Sequence, residues 1–295
     1  MPFPVTVHPF PSPTSESCAY ERGLINAQNA LVFISGLTAG PHSTDEKLMR
    51  RIEEGVAQHG YGVWEFRMRS SYDGFGYSSL ANDVADLAAL VKYLRGDDVG
   101  KKKKIVVVGC STGCQDCMEY TDRIKYPDNP PVDGYILQSP VSDRETAAMF
   151  MPAEVIEQTL SAANELIAAG KGQDAVPRSM MPEVFAGPVT AYRWWSLVSA
   201  GGDDDYFSSD LPDSTIQKTF GRVDQPILIM PSAKDETVPP TVDKDALLKR
   251  WMSAVPEGRV SGLSGVNPTG NHILSEAEGQ EWFVDRVVKF LREIA

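Results

Sequence analysis

Long apolar runs are missing from this sequence. No uninterrupted stretch approaches the roughly 18 residues that a membrane-spanning helix requires, so membrane insertion is not expected. Positive charge is also in short supply. Lys and Arg total 28 against 40 Asp and Glu, a net charge of −12. That balance speaks against nucleic acid or an anionic membrane surface as partner and permits a cationic ligand. The four cysteines make no disulfide framework, because three of them crowd together at 110, 114 and 117. Residues 1–17 are rich in Pro and Ser and lack a basic start followed by an apolar core, so no secretory signal is expected. Together these absences predict a reducing compartment, the cytoplasm. Tandem repeats and low-complexity tracts are absent. Histidine is scarce as well, with only four in the chain.

What remains is an ordinary globular composition, 42% hydrophobic and 23% charged, in 295 residues. That length can bury a large core and is compatible with one α/β domain. Short antiparallel edge strands are expected at 5–8 and 19–22. Buried strands follow at 31–35, 63–68, 105–108, 132–138 and 226–230, with a short last one at 259–263. Helices alternate with them at 45–59, 80–94, 243–254 and 277–293. Leu48, Ile52 and Val56 illustrate the spacing, as do Val84, Leu87, Val91 and Leu94. Alternation of this kind predicts a mostly parallel, doubly wound sheet with helices on both faces. The segment 143–220 is too long for a connection, so it reads as a cap inserted into a core of 1–142 and 221–295. Four lysines at 101–104 read as a solvated turn, and Asp203-Asp204-Asp205 as an acidic loop.

Chemistry concentrates in 104–117, KIVVVGCSTGCQDC. A β-branched strand runs into Gly109-Cys110-Ser111-Thr112-Gly113, and a helix can start there. Strand, G-x-S-x-G, helix is the setting of a nucleophile elbow. Ser111 then sits on a sharp turn at a helix N-terminus, where free N–H groups favour a developing oxyanion. The overlapping C-x3-C-x2-C spacing of Cys110, Cys114 and Cys117 is that of an iron–sulfur site. Helical cysteines are more often small buried hydrophobes, and packing is the expected role here.

A serine hydroxyl needs a base, and the base needs a carboxylate. His8 and His42 fall in edge or loop positions and His59 at a helix end. That leaves His272, in a loop between the last short strand and the C-terminal helix. The acid should leave a strand end between Ser111 and His272. Asp235 in Pro231-Ser232-Ala233-Lys234-Asp235-Glu236 fits, with Glu236 expected to be solvated. Asp143 is the other candidate, unless it merely pairs with Arg144 where the cap begins. Oxyanion donors are expected from the Thr112 N–H and the Leu37 N–H, the latter in the loop after strand 31–35. Ser70, Ser71 and Tyr72 are placed at the same mouth. Trp194 and Trp195 are expected at its rim, as substrate-binding residues with Tyr72.

These pieces resemble the α/β-hydrolase superfamily, whose Ser, Asp, His order they share. The resemblance is closer to the fungal siderophore esterases that open fusarinine-type esters. It is carried by LVFISGLTAG (31–40), SSYDGFGYSSL (70–80), GCSTGCQD (109–116), DGYILQSPVSDRE (133–145), PSAKDETVP (231–239) and GNHIL (270–274). It implies an α/β-hydrolase fold, with Ser111 as nucleophile, Asp235 as acid and His272 as base. It implies no cofactor and no resident metal. The partner implied is a small-molecule ester, a hydroxamate siderophore with or without its iron. Cys110 stands where such elbows commonly carry a histidine. Two other readings stay open: a hydrolase of a different ester, a thioester or a peptide, and a non-catalytic binding protein on the same scaffold.

Overall fold

The computed structural model describes residues 2–182, 185 and 187–294. One sheet organises it. Its strands are β1 (Thr6–Pro9), β2 (Cys18–Gly23), β3 (Asn29–Ile34), β4 (Tyr61–Phe66), β5 (Ile105–Cys110), β6 (Gly134–Gln138) and β7 (Ile227–Met230). They lie in the order β1-β2-β4-β3-β5-β6-β7. The β1/β2 and β2/β4 pairs are antiparallel, and every later pair is parallel. β5 sits between β3 and β6, so both its faces must be apolar. Ile105, Val106, Val107 and Val108 meet that demand and are 0–1% exposed.

Helices cover both faces. α1 (Glu46–Ala57) and α9 (Ala277–Glu293) lie on one side, where Leu48, Ile52 and Val56 pack with Phe283, Val287 and Phe290. α2 (Leu80–Leu94), α3 (Gly113–Tyr120) and α8 (Lys244–Ala254) lie on the other, with Trp251 among the largest buried side chains. The helix starts follow capping chemistry. Asp45, Ser79 and Asp243 each accept an N–H of the first turn, which satisfies a donor that the helix itself leaves free.

Between β6 and β7 run α4 (Asp143–Phe150), α5 (Ala153–Ala168), α6 (Ala191–Val198) and α7 (Asp213–Phe220). Packing divides this insertion differently from the expected unit at 143–220. Ala163, Trp194, Leu197 and Val198 form a cluster of their own, whereas Phe207, Ile216 and Phe220 join the main core against Trp251. α7 therefore belongs to the sheet's helical layer. The strand expected at 259–263 is also reduced. Only isolated parallel bridges form, Ile227 with Val260 and Ser232 with Asn267. Arg259, Gly262 and Ser264 give that edge no alternating apolar face to bury.

The lysine run is not uniformly solvated. Lys102 is 3% exposed, its Nζ donates to the Ala27 carbonyl at 2.7 Å, and it lies 5.2 Å from the Trp64 ring centre. The acidic loop is only partly solvated: Asp203 is exposed, but its two successors are engaged. Asp204 is buried against Arg193, at 2.7 Å, and Asp205 pairs with Arg144 at 3.3 Å. A solvated loop does not describe Asp204 and Asp205, which tie the insertion to itself. Among the described residues, no helix is long and apolar enough to cross a membrane.

Candidate active site

Ser111 follows directly on β5, with φ at +54°. A non-glycine residue rarely tolerates that region, at a cost on the order of 1–3 kcal/mol, and such strain clusters at functional positions. The neighbours make room for it. A Cβ at Gly109 would lie 2.2 Å from the Gly113 carbonyl oxygen, so the strand and the helix close on each other only without that atom. The Ser111 N–H donates to the Gln138 carbonyl at 3.0 Å, which ties the turn to the end of β6.

His272 and Asp235 come from two later loops and meet at this turn. The Ser111 Oγ lies 2.8 Å from His272 Nε2, and His272 Nδ1 lies 2.9 Å from Asp235 Oδ2. Asp235 leaves the end of β7. Its other oxygen accepts the Thr237 N–H at 3.0 Å and the Thr237 hydroxyl at 2.6 Å. Burial pushes this carboxyl upward, but the hydrogen bonds from His272 and Thr237 and the His272 charge outweigh it. Asp235 ends below the ordinary carboxylate range, so it stays charged. The His272 backbone is clamped twice. Its N–H donates to Glu236 Oε2 at 3.0 Å and its carbonyl accepts from Gln138 Nε2 at 3.0 Å. Glu236 is thus engaged rather than merely solvated. Thr237 and Gln138 were not expected at the site. The Asp235–Thr237 spacing of an Asx turn was the available signal for Thr237.

The loop after β3 closes over the serine. A Cβ at Gly36 would stand 2.8 Å from Ser111 Cβ and 3.2 Å from its Oγ, so Gly36 is a contact point rather than an ordinary turn glycine. The next N–H, that of Leu37, donates to Thr112 Oγ1 at 3.1 Å. The Thr112 N–H has no partner among the described residues. Both expected oxyanion donors therefore lie beside Ser111, one of them held by a hydroxyl.

Asp143 does not reach His272 as a triad acid would, and it does not pair with Arg144. It starts α4, accepts Gln115 Nε2 at 2.8 Å and lies 3.5 Å from Thr112 Oγ1. Arg144 turns to Asp210 and Asp205 instead. Burial, then the Asp204 charge, pushes Asp143 up to about 7, while Arg193 and His272 oppose the shift. Arg193 is 1% exposed and faces Asp83, Asp116 and Asp143 besides Asp204. Burial raises Asp83 to about 6 and Asp116 well above its ordinary value, against the pull of Arg193.

The Ser111 mouth is a cavity of about 540 Å³, bordered by Leu37, Asp45, Leu48, Thr112, His272 and Ile273 among others. The residues expected to bind substrate fall elsewhere. Tyr72 turns its hydroxyl to the Pro41 carbonyl at 2.6 Å, and its ring covers Gly40. Trp195 packs its ring against Tyr192. Ser70 and Ser71 border a small cavity of about 30 Å³ beside Gly36 and Leu37. Trp194 is buried rather than at a rim, and it borders a separate cavity next to the mouth. The cysteines serve packing. Cys114 and Cys117 are fully buried, and the Cys114 thiol donates to the Gly109 carbonyl at 3.1 Å. Among the described residues, no group of three His, Cys, Asp or Glu side chains is placed to hold a metal ion.

A mostly parallel sheet, a serine on a strained strand–helix turn and a histidine–carboxylate pair on the later loops define an α/β hydrolase. A solved structure of siderophore hydrolase EstB from Aspergillus fumigatus superposes with a TM-score of 0.82 over 100% of this chain and 98% of that one, at 27% identity. The chain belongs to the family described as "Protein of unknown function (DUF1749)", whose profile matches residues 1–292. It is 32% identical to UPF0613 protein PB24D3.06c of Schizosaccharomyces pombe, covering 90% of this chain and 88% of that protein. It is 30% identical to fusarinine C esterase sidJ of Aspergillus fumigatus, over 89% and 88%. By class the chain is a carboxylic ester hydrolase.

Proposed function

We propose that this chain is a serine esterase working through Ser111, His272 and Asp235. The observation that carries the reading is the unbroken path from Ser111 Oγ to His272 at 2.8 Å and on to Asp235 at 2.9 Å. In this reading His272 Nε2 takes the serine proton as Oγ bonds to the ester carbonyl carbon. Asp235 holds the imidazole tautomer and balances its charge. The carbonyl oxygen becomes an oxyanion between the Thr112 and Leu37 N–H groups, with Leu37 turning from the Thr112 hydroxyl to the stronger acceptor. Collapse breaks the C–O bond, and His272 returns the proton to the departing alcohol. Water, deprotonated by the same histidine, then releases the acid and restores Ser111. Every proton and electron pair is accounted for without a cofactor.

For the substrate we propose an ester-linked hydroxamate siderophore of the fusarinine type. The names of sidJ and EstB support it, and its opening would serve iron release inside the cell. Any iron then belongs to the substrate. Four free cysteines suit a reducing cytoplasm. The cap in this reading is α4 to α6, the part with its own apolar cluster. The second reading, an ester of another acid, is favoured by the apolar cavity beside the mouth. The test is mass spectrometry after incubating the enzyme with a ferric fusarinine-type triester. Linear hydroxamate fragments support the reading, and an intact macrocycle alongside turnover of simple esters overturns the substrate while keeping the chemistry.

A further inference from the structure

Beside the Ser111 mouth lies a second cavity of about 520 Å³, within the range of small-molecule sites. Leu37, Asp143, Thr146 and Phe185 border both. The rest of its described wall comes from α4 and α6 of the insertion with Met151 and Pro182 and is apolar, Ala147, Phe150, Trp194 and Leu197 prominent. Its polar atoms are few. Asp143 is the only ionisable group among the described residues that border it, and Trp194 brings an indole N–H with no partner among the described residues.

The position of this cavity relative to the reacting atoms decides which half of an ester it can take. His272 must protonate the leaving alcohol, so the alcohol lies on the His272 side. The residues on that side, His272, Ile273, Asp45 and Leu48, border the mouth and none borders the second cavity. The carbonyl oxygen points between Leu37 and Thr112. Leu37 is shared by both cavities, and Asp143 connects Thr112 to the second one. The acyl chain, which leaves the carbonyl carbon opposite the alcohol, is therefore the part directed past Leu37 and Asp143.

We infer that the cavity between α4 and α6 is the acyl subsite and takes a long, carbon-rich acyl chain. This rests on Ser111 being the nucleophile. The leaving alcohol meets the wider, more polar mouth and is selected less.

The test uses p-nitrophenyl esters, so that the leaving group stays constant while the acyl chain changes. For the wild-type chain, kcat/KM for the hexanoate should exceed that for the acetate at least tenfold. Ala147→Trp, which fills the cavity, should lower the hexanoate-to-acetate ratio at least tenfold, and Ala147→Leu should lower it by less. Thermal unfolding reports whether each variant folds. A flat chain-length series, or an unchanged ratio in a folded Ala147→Trp variant, overturns the subsite. Fluorophosphonate labelling of the same samples separates the two claims. Labelled Ser111 with a flat series refutes the subsite alone, whereas an unlabelled Ser111 refutes the nucleophile on which it rests.

Discussion

Gly36→Ala is the sharpest probe of how the oxyanion loop meets the serine. Gly36 has no left-handed φ, so alanine fits its backbone. What alanine adds is one methyl, 2.8 Å from Ser111 Cβ and 3.2 Å from Ser111 Oγ. Carbon atoms in contact sit about 3.5–4.0 Å apart, so either the loop or the serine must retreat by about 0.7–1.2 Å. In the proposed mechanism the loop carries the Leu37 N–H that meets the oxyanion, and the serine carries the attacking oxygen. A displacement of about 1 Å in such groups costs on the order of 100-fold in rate, or about 2.7 kcal/mol of barrier. The expected outcome is a roughly hundredfold loss in kcat on p-nitrophenyl butyrate, with a folded protein by thermal unfolding. Gly262→Ala is the control, because a Cβ there meets nothing within 4 Å. Wild-type kcat in Gly36→Ala would refute the claim that this loop must touch the serine.

Two further substitutions test the charges. Asp235→Asn should lower kcat by about 10⁴-fold with the fold intact, because the amide presents the wrong partner to His272 Nδ1; steady-state kinetics on the same ester decide it, and a loss under tenfold contradicts the assignment. Asp143 is raised to about 7 in the folded chain. The folded state then binds the extra proton, so this group's contribution to stability falls as pH rises from about 4 towards 7. Asp143→Asn should consequently gain stability relative to the wild type at pH 8, on the order of 2–4 kcal/mol, and little at pH 4. Urea unfolding at both pH values measures it, and a difference independent of pH removes the buried-carboxyl explanation.

The parallel core and the meeting of Ser111, His272 and Asp235 were legible because both depend on local patterns. The spacing of Leu80, Val84, Leu87, Val91 and Leu94 located α2 to the residue. Ser111, His272 and Asp235 followed from chain order, since an elbow after β5 leaves few places for a base and an acid. What chain order cannot supply is which way a surface-looking residue turns. Lys102 and Asp204 read as solvent-facing and are buried, because Ala27 and Arg193, distant or helical partners, satisfy them. Tyr72, Trp194 and Trp195 were assigned by aromatic character alone; Tyr72 and Trp195 are engaged by loop and helix packing, whereas Trp194, though buried, borders the cavity beside the mouth. Thr237 and Gln138 escaped notice as site residues for a related reason. Their contribution is a hydrogen bond to a distant loop, which periodicity does not report.

The central claim is that Ser111 is the nucleophile, and its most direct test is covalent. The protein is incubated with a fluorophosphonate, digested and mapped by mass spectrometry. The account predicts one adduct, on Ser111, lost in Ser111→Ala together with ester turnover. No adduct on Ser111 in an active preparation, or ester hydrolysis surviving in folded Ser111→Ala, would contradict it.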